Sequence, residues 1–341
     1  TNADGDYVAV AFANIVGALA VRAEDKQPIA VDAWCHVAGS IGEEVKRDVA
    51  WPLRTLLYLL LGYKPQTEAL AELGKAARAL LAFGLSEPNS NGLVASAIGF
   101  VGSTYGSDRS ASRDVLEQLF TPERFSEHAH EDMEWLTREV EHIAQYDPDF
   151  VVNIFATVFG HDVRDEQKTL MGNRRILPMS STRRQDYEMA RWSLKEAFPD
   201  FIAAHPSHGA RALLTTIAGY ITIQRPRSTA QDVVVIRIGE HAIRLQEDHS
   251  HIWAWNPTEA HSHNAIAIAN AFAEHVSRAS AADVREIVNV IISENSAAVV
   301  WARTFQGCAK RDDDSADALW PWVTQSAFLT SADTRKDALD F

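Results

Sequence analysis

The start signals of helices constrain this sequence more than any other feature. A capping residue, a proline and an acidic residue follow one another at 121–123 (Thr-Pro-Glu) and again at 147–149 (Asp-Pro-Asp). Such a triplet is typical of a helix N-terminus, with the proline at the first helical position and the acid in the first turn. The first signal predicts a helix that extends to Tyr146, and the second starts a new helix directly. The sequence therefore predicts an antiparallel helical hairpin with its hinge at Asp147-Pro148.

Two further pairs of helical segments have the same organisation, with hinges at 205–207 and 280–283. The second hinge, Ser-Ala-Ala-Asp, resembles a capping box, in which the residues at the two ends cap each other. The helices predicted around these hinges are Tyr187–Ala204, Ala210–Ile223, Ala265–Arg278, Val284–Ser293 and Asn295–Ala309. The three hinges are unequally spaced, which is typical of degenerate solenoids, whose repeats diverge while they keep the hairpin unit.

The low content of helix-breaking residues supports this interpretation. The chain has 17 Gly and 12 Pro among 341 residues, which favours long helices over many short strands with tight turns. Pro52 fits a first helical turn, and Gly84 fits a C-terminal stop. In the first 120 residues, apolar spacing predicts the helices Tyr7–Arg22, Trp51–Tyr63, Thr67–Phe83 and Val115–Phe120. The predicted fold is mainly α, an α-solenoid-like array of antiparallel helical hairpins of a degenerate HEAT or TPR type.

One stretch interrupts the helical pattern. Residues 233–238 are rich in Val and Ile, residues 239–240 are Gly-Glu, and residues 241–245 alternate in character. This order is typical of a β-hairpin, and residues 251–255 fit a third strand. Because an isolated hairpin is barely stable, we expect helices to cover one of its faces. The sequence therefore predicts a small β-meander near 233–255, inserted in the helical array.

These elements divide the chain into four predicted regions. A helical region spans 1–120, helical hairpins with a basic loop span 121–232, the β-insertion spans 233–256, and a C-terminal helical region spans 257–341. The sequence begins at Thr1 and not at Met, so it is compatible with a segment of a longer polypeptide.

Charge and motifs exclude several classes of protein. With 46 acidic and 32 basic residues, the formal net charge is −14, which argues against broad nonspecific binding of nucleic acid. Cys35 and Cys308 are far apart, which excludes a disulfide scaffold and favours buried thiols in a cytoplasmic protein. The longest apolar run after the first 21 residues, 56–62, is far below the ~20 residues that cross a bilayer. The sequence contains no phosphate-binding loop and no GxSxG, HExxH or kinase motif, so no catalytic residue is predicted. Whether the chain is an enzyme stays an open question, and the missing motifs argue against it.

Arginines gather around one loop of this acidic chain, between residues 174 and 191. An arginine fork binds carboxylates or phosphates through two hydrogen bonds. The alternatives to binding a partner or a phosphate are structural ion pairs with acidic helices and contacts to nucleic acid. The candidate binding residues are Arg174, Arg175, Arg183, Arg184, Arg191 and Tyr187.

Histidines form a second cluster, and the tripeptide His-Ser-His occurs at 249–251 and at 261–263. Two residues that are two apart on a strand point to the same face, so such a pair offers two imidazoles to a zinc ion. The alternative is a polar strand edge and a loop whose histidines form local hydrogen bonds. The candidate metal ligands are His249, His251, His261 and His263.

Residues 146–190 resemble a region of known proteins. The segment reads YDPDFV at 146–151, MGNRRILPMSS at 171–181 and RRQDYEMA at 183–190. It resembles the helical-repeat region of large bacterial ATP-binding proteins of the STAND type, several of which act in anti-phage defence. In such proteins an NTPase and an effector precede a long α-solenoid, which recognises a foreign protein and gates oligomerisation. The resemblance implies the sensing segment alone, because this sequence has no NTPase motif. ATP is expected only if an NTPase domain lies outside this segment.

We therefore expect a cytoplasmic scaffold or sensor of bacterial antiviral defence that binds a protein partner. Such a scaffold can also assemble into a homo-oligomer. No cofactor is predicted for this scaffold, and no membrane contact. Two alternatives stay open. The first is a metal-dependent hydrolase that uses zinc at the histidine cluster of 241–263, and the second is a nucleic-acid-binding helical protein that uses the arginine loop of 174–191.

Overall fold

The computed structural model describes six stretches of the chain, 3–27, 29–88, 90–163, 182–224, 233–254 and 263–341. Within these stretches the chain is mostly helical and contains one two-stranded antiparallel sheet, so the predicted mainly α class is confirmed. None of the described helices combines the length and the apolar content that crossing a membrane requires.

The chain forms two compact units, which are not continuous in sequence. Unit 1 consists of Thr1–Asp147 and Asp165–Ala190, and unit 2 consists of Pro148–Arg164 and Arg191–Phe341. The predicted division into four regions stays a prediction.

The described helices before residue 147 belong to unit 1. They are α1 (Ala3–Glu24), α2 (Val31–Ile41), α3 (Arg47–Leu61), α4 (Thr67–Ser86), α5 (Asn91–Ser103), α6 (Arg109–Glu117), α7 (Pro122–Arg138) and α8 (Val140–Ala144). The 3-10 segments Tyr105–Ser107 and Gln118–Phe120 flank α6. Helix α7 starts with Pro122 in its first turn, as the sequence predicts.

Alternate helices of unit 1 pack against each other. Helix α3 packs against α1 and α5, and α5 also packs against α7, which gives one series of helices. Helix α4 packs against α2 and α6, which gives a second series. Neighbours in sequence, such as α4 and α5, also pack together. The core of the unit contains the buried Tyr105 and the buried leucines of α3 and α4, which are Leu53, Leu56, Leu57, Leu60, Leu73, Leu80 and Leu81.

Three sequence predictions in unit 1 are wrong in detail. Helix α3 begins at Arg47, so Pro52 lies in its interior and not in its first turn. Gly84 does not end α4, because the helix continues to Ser86 and Gly84 provides a close approach to Val94 of α5. The helix predicted to reach Tyr146 is interrupted at Glu139, between α7 and α8.

Unit 2 contains α9 and most of the later elements. Its helices are α9 (Pro148–Gly160), the second part of α10 (Thr182–Ala204), α11 (Pro206–Gln224), α12 (Ser250–Trp253), α13 (Asn264–Arg278), α14 (Ala281–Glu294), α15 (Ala298–Cys308), α16 (Trp320–Val323), α17 (Ser326–Thr330) and α18 (Arg335–Asp340). The residues of α10 up to Ala190 belong to unit 1. A 3-10 segment spans Asp314–Leu319.

The helices of unit 2 also pack in an alternating series. Helix α11 packs against α9 and α13, and α13 packs against α15. The contact between α9 and α11 is close, because a Cβ atom at Gly219 would lie 2.4 Å from the carbonyl oxygen of Phe159. Three phenylalanine rings of α9 and α10 pack together, and the ring centroid of Phe155 lies 6.1 Å from those of both Phe198, which is edge-on, and Phe201, which is stacked.

The predicted β-hairpin is confirmed, but the third strand is wrong. Strands β1 (Val233–Ile238) and β2 (His241–Gln246) pair antiparallel, with Ile236 opposite Ile243. Gly239 takes the positive φ of 60° that the tight turn requires. Residues that follow β2 form α12, because His249 turns the chain with a φ of 57°. Residue 255 lies outside the described residues.

Candidate functional site

The chain that follows β2 is organised by a carboxylate from a distant loop. Asp333 lies between α17 and α18, and its side chain is buried. Its Oδ2 accepts hydrogen bonds from the backbone N–H groups of Asp248 and His249, each at 3.0 Å. Its Oδ1 accepts a third from the backbone N–H of His251 at 3.1 Å, and lies 2.6 Å from Nδ1 of the same residue. One carboxylate thus holds the backbone donors around the start of α12.

Asp248 is a second buried carboxylate, 1% exposed, and it joins two helix starts. Its Oδ1 accepts a hydrogen bond from the backbone N–H of Ser250 at 3.0 Å, in the first turn of α12. Its Oδ2 accepts one from the N–H of Val299 at 2.9 Å, in the first turn of α15. Both oxygens are therefore held by backbone donors, which a helix start leaves unpaired within the helix.

The pKa values of the two carboxylates shift in opposite directions. Burial raises the pKa of Asp248 to about 6, and the charge of Asp333 adds to the rise against the hydrogen bonds from Ser250 and Val299. Burial also raises the pKa of Asp333, but hydrogen bonds from His251 and from the backbone outweigh it, so this pKa lies below its ordinary value. Asp333 is thus the better-stabilised anion of the pair.

A cleft of about 430 Å³ lies beside Asp248 in unit 2. One wall is a single face of α11, because its lining residues recur every three or four positions. They are Arg211, Leu214, Thr215, Ala218, Ile221 and Thr222. Gln246, Asp248 and the connection 294–297 line the cleft as well, together with Val152 of α9.

Hydrogen bonds fix the connection that lines the cleft. The backbone N–H of Gln246 donates to the carbonyl oxygen of Ser296 at 2.8 Å. The side chain of Asn295 bonds to Ala297 twice, with Oδ1 accepting from its N–H at 3.0 Å and Nδ2 donating to its carbonyl oxygen at 3.2 Å. The cleft is therefore built from fixed backbone on one side and from a helix face on the other.

An ion pair lies at the edge of the cleft. Nε of Arg211 donates to Oε1 of Glu294 at 3.0 Å, and this bond raises the pKa of the guanidinium. The pair is neutral as a whole, and Leu214, Ala218 and Ile221 make part of the wall apolar. Since backbone donors hold both oxygens of Asp248, the arrangement suits binding better than proton transfer.

The predicted zinc ligands make different contacts in the structure. His251 is tied to Asp333, and its ring centroid is 6.1 Å from that of His249. His263 instead packs against Tyr220 with tilted rings, whose centroids are 5.6 Å apart. Among the described residues, no three His, Cys, Asp or Glu side chains are grouped as a metal site would need. His261 lies outside those residues, and the zinc site stays a prediction.

The predicted arginine site divides between the two units. Arg183, in unit 1, donates from Nε to Nδ1 of His130 at 3.4 Å and from Nη2 to the carbonyl oxygen of Glu127. Tyr187 is 1% exposed and packs edge-on against Phe125, with ring centroids 6.3 Å apart, so its ring belongs to the core of unit 1. Arg184 is half-buried.

Arg191 belongs to unit 2 and is buried. It donates to the carbonyl oxygens of Val158 at 3.3 Å and of His161 at 2.6 Å. These carbonyls lie at and just beyond the C-terminus of α9, where a cation is favourable. Arg174 and Arg175 fall outside the described residues, so their predicted role stays a prediction.

Two features of the structure have little local signal in the sequence. Asp333 caps the start of α12 from 82 to 85 residues away, a distance at which no spacing rule applies. Asp147 is buried in unit 1, where it accepts from the hydroxyl of Tyr105 and from Nη2 of Arg109, each at 3.0 Å. The sequence predicts Asp147 as a helix cap and does not predict this cluster.

Both cysteines are free and buried, as the sequence predicts. Burial raises the pKa of the Cys35 thiol to about 11 and that of Cys308 to about 12, so neither is an activated nucleophile. No protein-family model, curated protein or solved structure matches this chain.

Proposed function

We propose that this chain is a helical scaffold that binds a protein partner, and that each unit is a degenerate α-solenoid. The supporting observation is the packing of alternate helices, α1 with α3 and α3 with α5 in unit 1, and α9 with α11 and α11 with α13 in unit 2. In helical-repeat proteins each hairpin stacks on its neighbours, so each helix contacts the helix that lies two positions further along the chain. Such stacks commonly bind other proteins through an extended surface.

Helix α3 offers the most specific binding surface for this proposal. Trp51 and Tyr58 are 54% and 74% exposed and stand about two helical turns apart. Seven residues of helix return a side chain to nearly the same face, so the two rings form one aromatic surface. Tryptophan and tyrosine are enriched at protein interfaces, and they dominate the binding energy there.

The test is capture of a partner from an extract of the source cells, followed by binding to the purified partner. We expect the double variant Trp51→Ala/Tyr58→Ala to lose a protein that the wild type retains. Leu339→Ala is the matched control, because Leu339 is an exposed apolar residue of unit 2. A partner retained equally by the double variant contradicts the role of α3, and the lack of any captured partner contradicts the scaffold.

The resemblance of residues 146–190 extends the proposal to the kind of partner. By that resemblance, the scaffold recognises a foreign protein in antiviral defence, and recognition gates oligomerisation. Sedimentation velocity of the chain with and without the purified partner tests this extension. A change in the number of copies on binding supports gating, and a constant number contradicts it.

The cleft in unit 2 favours a second candidate function, the binding of a small organic molecule. Its volume of about 430 Å³ is in the range of ligand pockets, and its apolar helix face opposes polar groups. Ala218→Trp would fill the cleft from the exposed face of α11. We expect this variant to lose any thermal shift that a ligand library produces in the wild type. Ala282→Trp, at an exposed position of α14, serves as its control.

A further inference from the structure

The first half of β1 is exposed on both faces. Val233, Val234 and Val235 are 44%, 44% and 47% exposed, although successive residues of a strand point in opposite directions. By contrast, Ile236 of β1 and its partner Ile243 of β2 are buried. Leu245 of β2, opposite Val234, is buried as well, so the hairpin is anchored through β2 and the middle of β1, whereas the beginning of β1 is exposed.

One edge of β1 has no paired strand within the described residues. Within the described part of the chain the sheet has two strands, and β1 pairs with β2. The other strand, β2, continues into a bridge between Gln246 and Ala297. Along the edge that faces away from its partner, a strand presents backbone N–H and C=O groups that can pair with another chain.

The outward face of the hairpin is basic. The register places Val235 opposite Arg244 and Arg237 opposite Ala242, so these four side chains share one face. Arg237 and Arg244 are both exposed, and Glu240 in the turn is the acidic residue of the hairpin. A second copy of β1 on this edge would gather four arginines, whereas an acidic strand would neutralise two.

We propose that the free edge of β1 binds an extended acidic segment of a protein partner as a third strand. The main chain of the segment pairs with β1. Its carboxylates lie beside Arg237 of β1 and reach Arg244 of β2 across the side chain of Val235. This inference rests on the proposed protein-binding function and adds the kind of segment that is bound. It uses a surface of unit 2, separate from the aromatic surface of α3 in unit 1.

The test uses the intact chain and a labelled six-residue peptide that alternates glutamate and valine. In fluorescence anisotropy at low salt, we expect it to bind at least about tenfold more tightly than a lysine–valine peptide. Arg237→Glu/Arg244→Glu should reverse this preference. Arg278→Glu/Arg285→Glu changes the same number of charges at exposed sites of α13 and α14 and should leave the preference unchanged.

Hydrogen exchange separates strand addition from charge attraction. We expect the amides of β1 to become protected when the glutamate peptide binds. Binding without this protection overturns the proposal, and so does self-association of the chain that the peptide fails to reverse. The Trp51→Ala/Tyr58→Ala variant should bind the peptide normally, so failure of the α3 surface and failure of the β1 edge are distinguishable.

Discussion

The carboxylate of Asp333 lies 2.6 Å from the imidazole of His251, 82 residues earlier in the chain. The same carboxylate accepts three backbone N–H groups, so Asp333→Ala would leave three donors without their partner. We expect the variant to lose about 3 kcal/mol of unfolding free energy, because buried unpaired donors are costly. Urea denaturation measures the loss, and Asp312→Ala, at an exposed aspartate, should change little. Equal stability of the two variants would contradict the role of Asp333 as a cap.

The pKa of Asp248, raised to about 6, predicts a pH dependence of stability. Because the folded state holds this proton more tightly than the unfolded state, the contribution is present below about pH 4 and is lost as pH rises through 6. Asp248→Asn should remove this slope, which amounts to at most about 3 kcal/mol. The check is the unfolding free energy of both proteins between these pH values. Parallel curves would show that Asp248 does not titrate there.

Asp333 predicts the opposite behaviour at lower pH. Its pKa lies below the ordinary value, so its stabilisation is present above about pH 4 and is lost as pH falls further. Acid unfolding of the wild type should therefore steepen below about pH 4, and Asp333→Asn should unfold with a shallower acid limb. Circular dichroism during acid titration measures both limbs. An unchanged acid limb in the variant would assign acid unfolding to other carboxylates.

The hydroxyl of Tyr105 donates to Asp147 at 3.0 Å inside unit 1. Burial raises the pKa of Tyr105, so the hydroxyl remains a donor. We expect Tyr105→Phe to cost about 1–3 kcal/mol, because it removes a hydrogen bond to a charged, buried acceptor. Tyr58→Phe is the control, because Tyr58 is exposed. Calorimetry or urea unfolding gives both values, and a neutral Tyr105→Phe would mean that Arg109 and Arg113, whose Nη1 lies 3.6 Å from Oδ2 of Asp147, satisfy the carboxylate alone.

The close contact of α9 and α11 predicts a steric effect at one glycine. A methyl group at Gly219 would meet the backbone of Phe159 at 2.4 Å, so Gly219→Ala must force the helices apart. We expect a loss of about 1–3 kcal/mol. Gly160→Ala provides the comparison, because nothing lies within 4 Å of its added methyl group. The two variants should differ clearly in melting temperature, and similar values would show that α11 shifts at little cost.

Local sequence patterns, such as helix-start and turn signals, account for most of the elements that the sequence predicts correctly. Pro122 and Pro148 each begin a helix, and the Gly239 turn joins β1 to β2, because capping and turn geometry depend on a few neighbouring residues. Gly84 shows where this reasoning fails. Its isolated position suits a helix end, but packing against Val94 makes it an interior residue of α4.

The candidate site depends on contacts that no local pattern contains. The sequence groups His249 and His251 by spacing, whereas the structure ties His251 to Asp333. The cleft joins one face of α11 to the connection 294–297, some 80 residues later. Helical periodicity predicts the face of α11, but the opposite wall follows from the tertiary arrangement.

The interleaving of the two units constrains how a nascent chain can fold. Tyr187 completes the core of unit 1 by packing on Phe125, yet Pro148–Arg164 of unit 2 is synthesised between them. Unit 1 therefore cannot finish folding on the ribosome until the chain has emerged beyond Ala190. A fragment that stops at Asp147 would lack the ring of Tyr187 that packs on Phe125 and should be prone to aggregate.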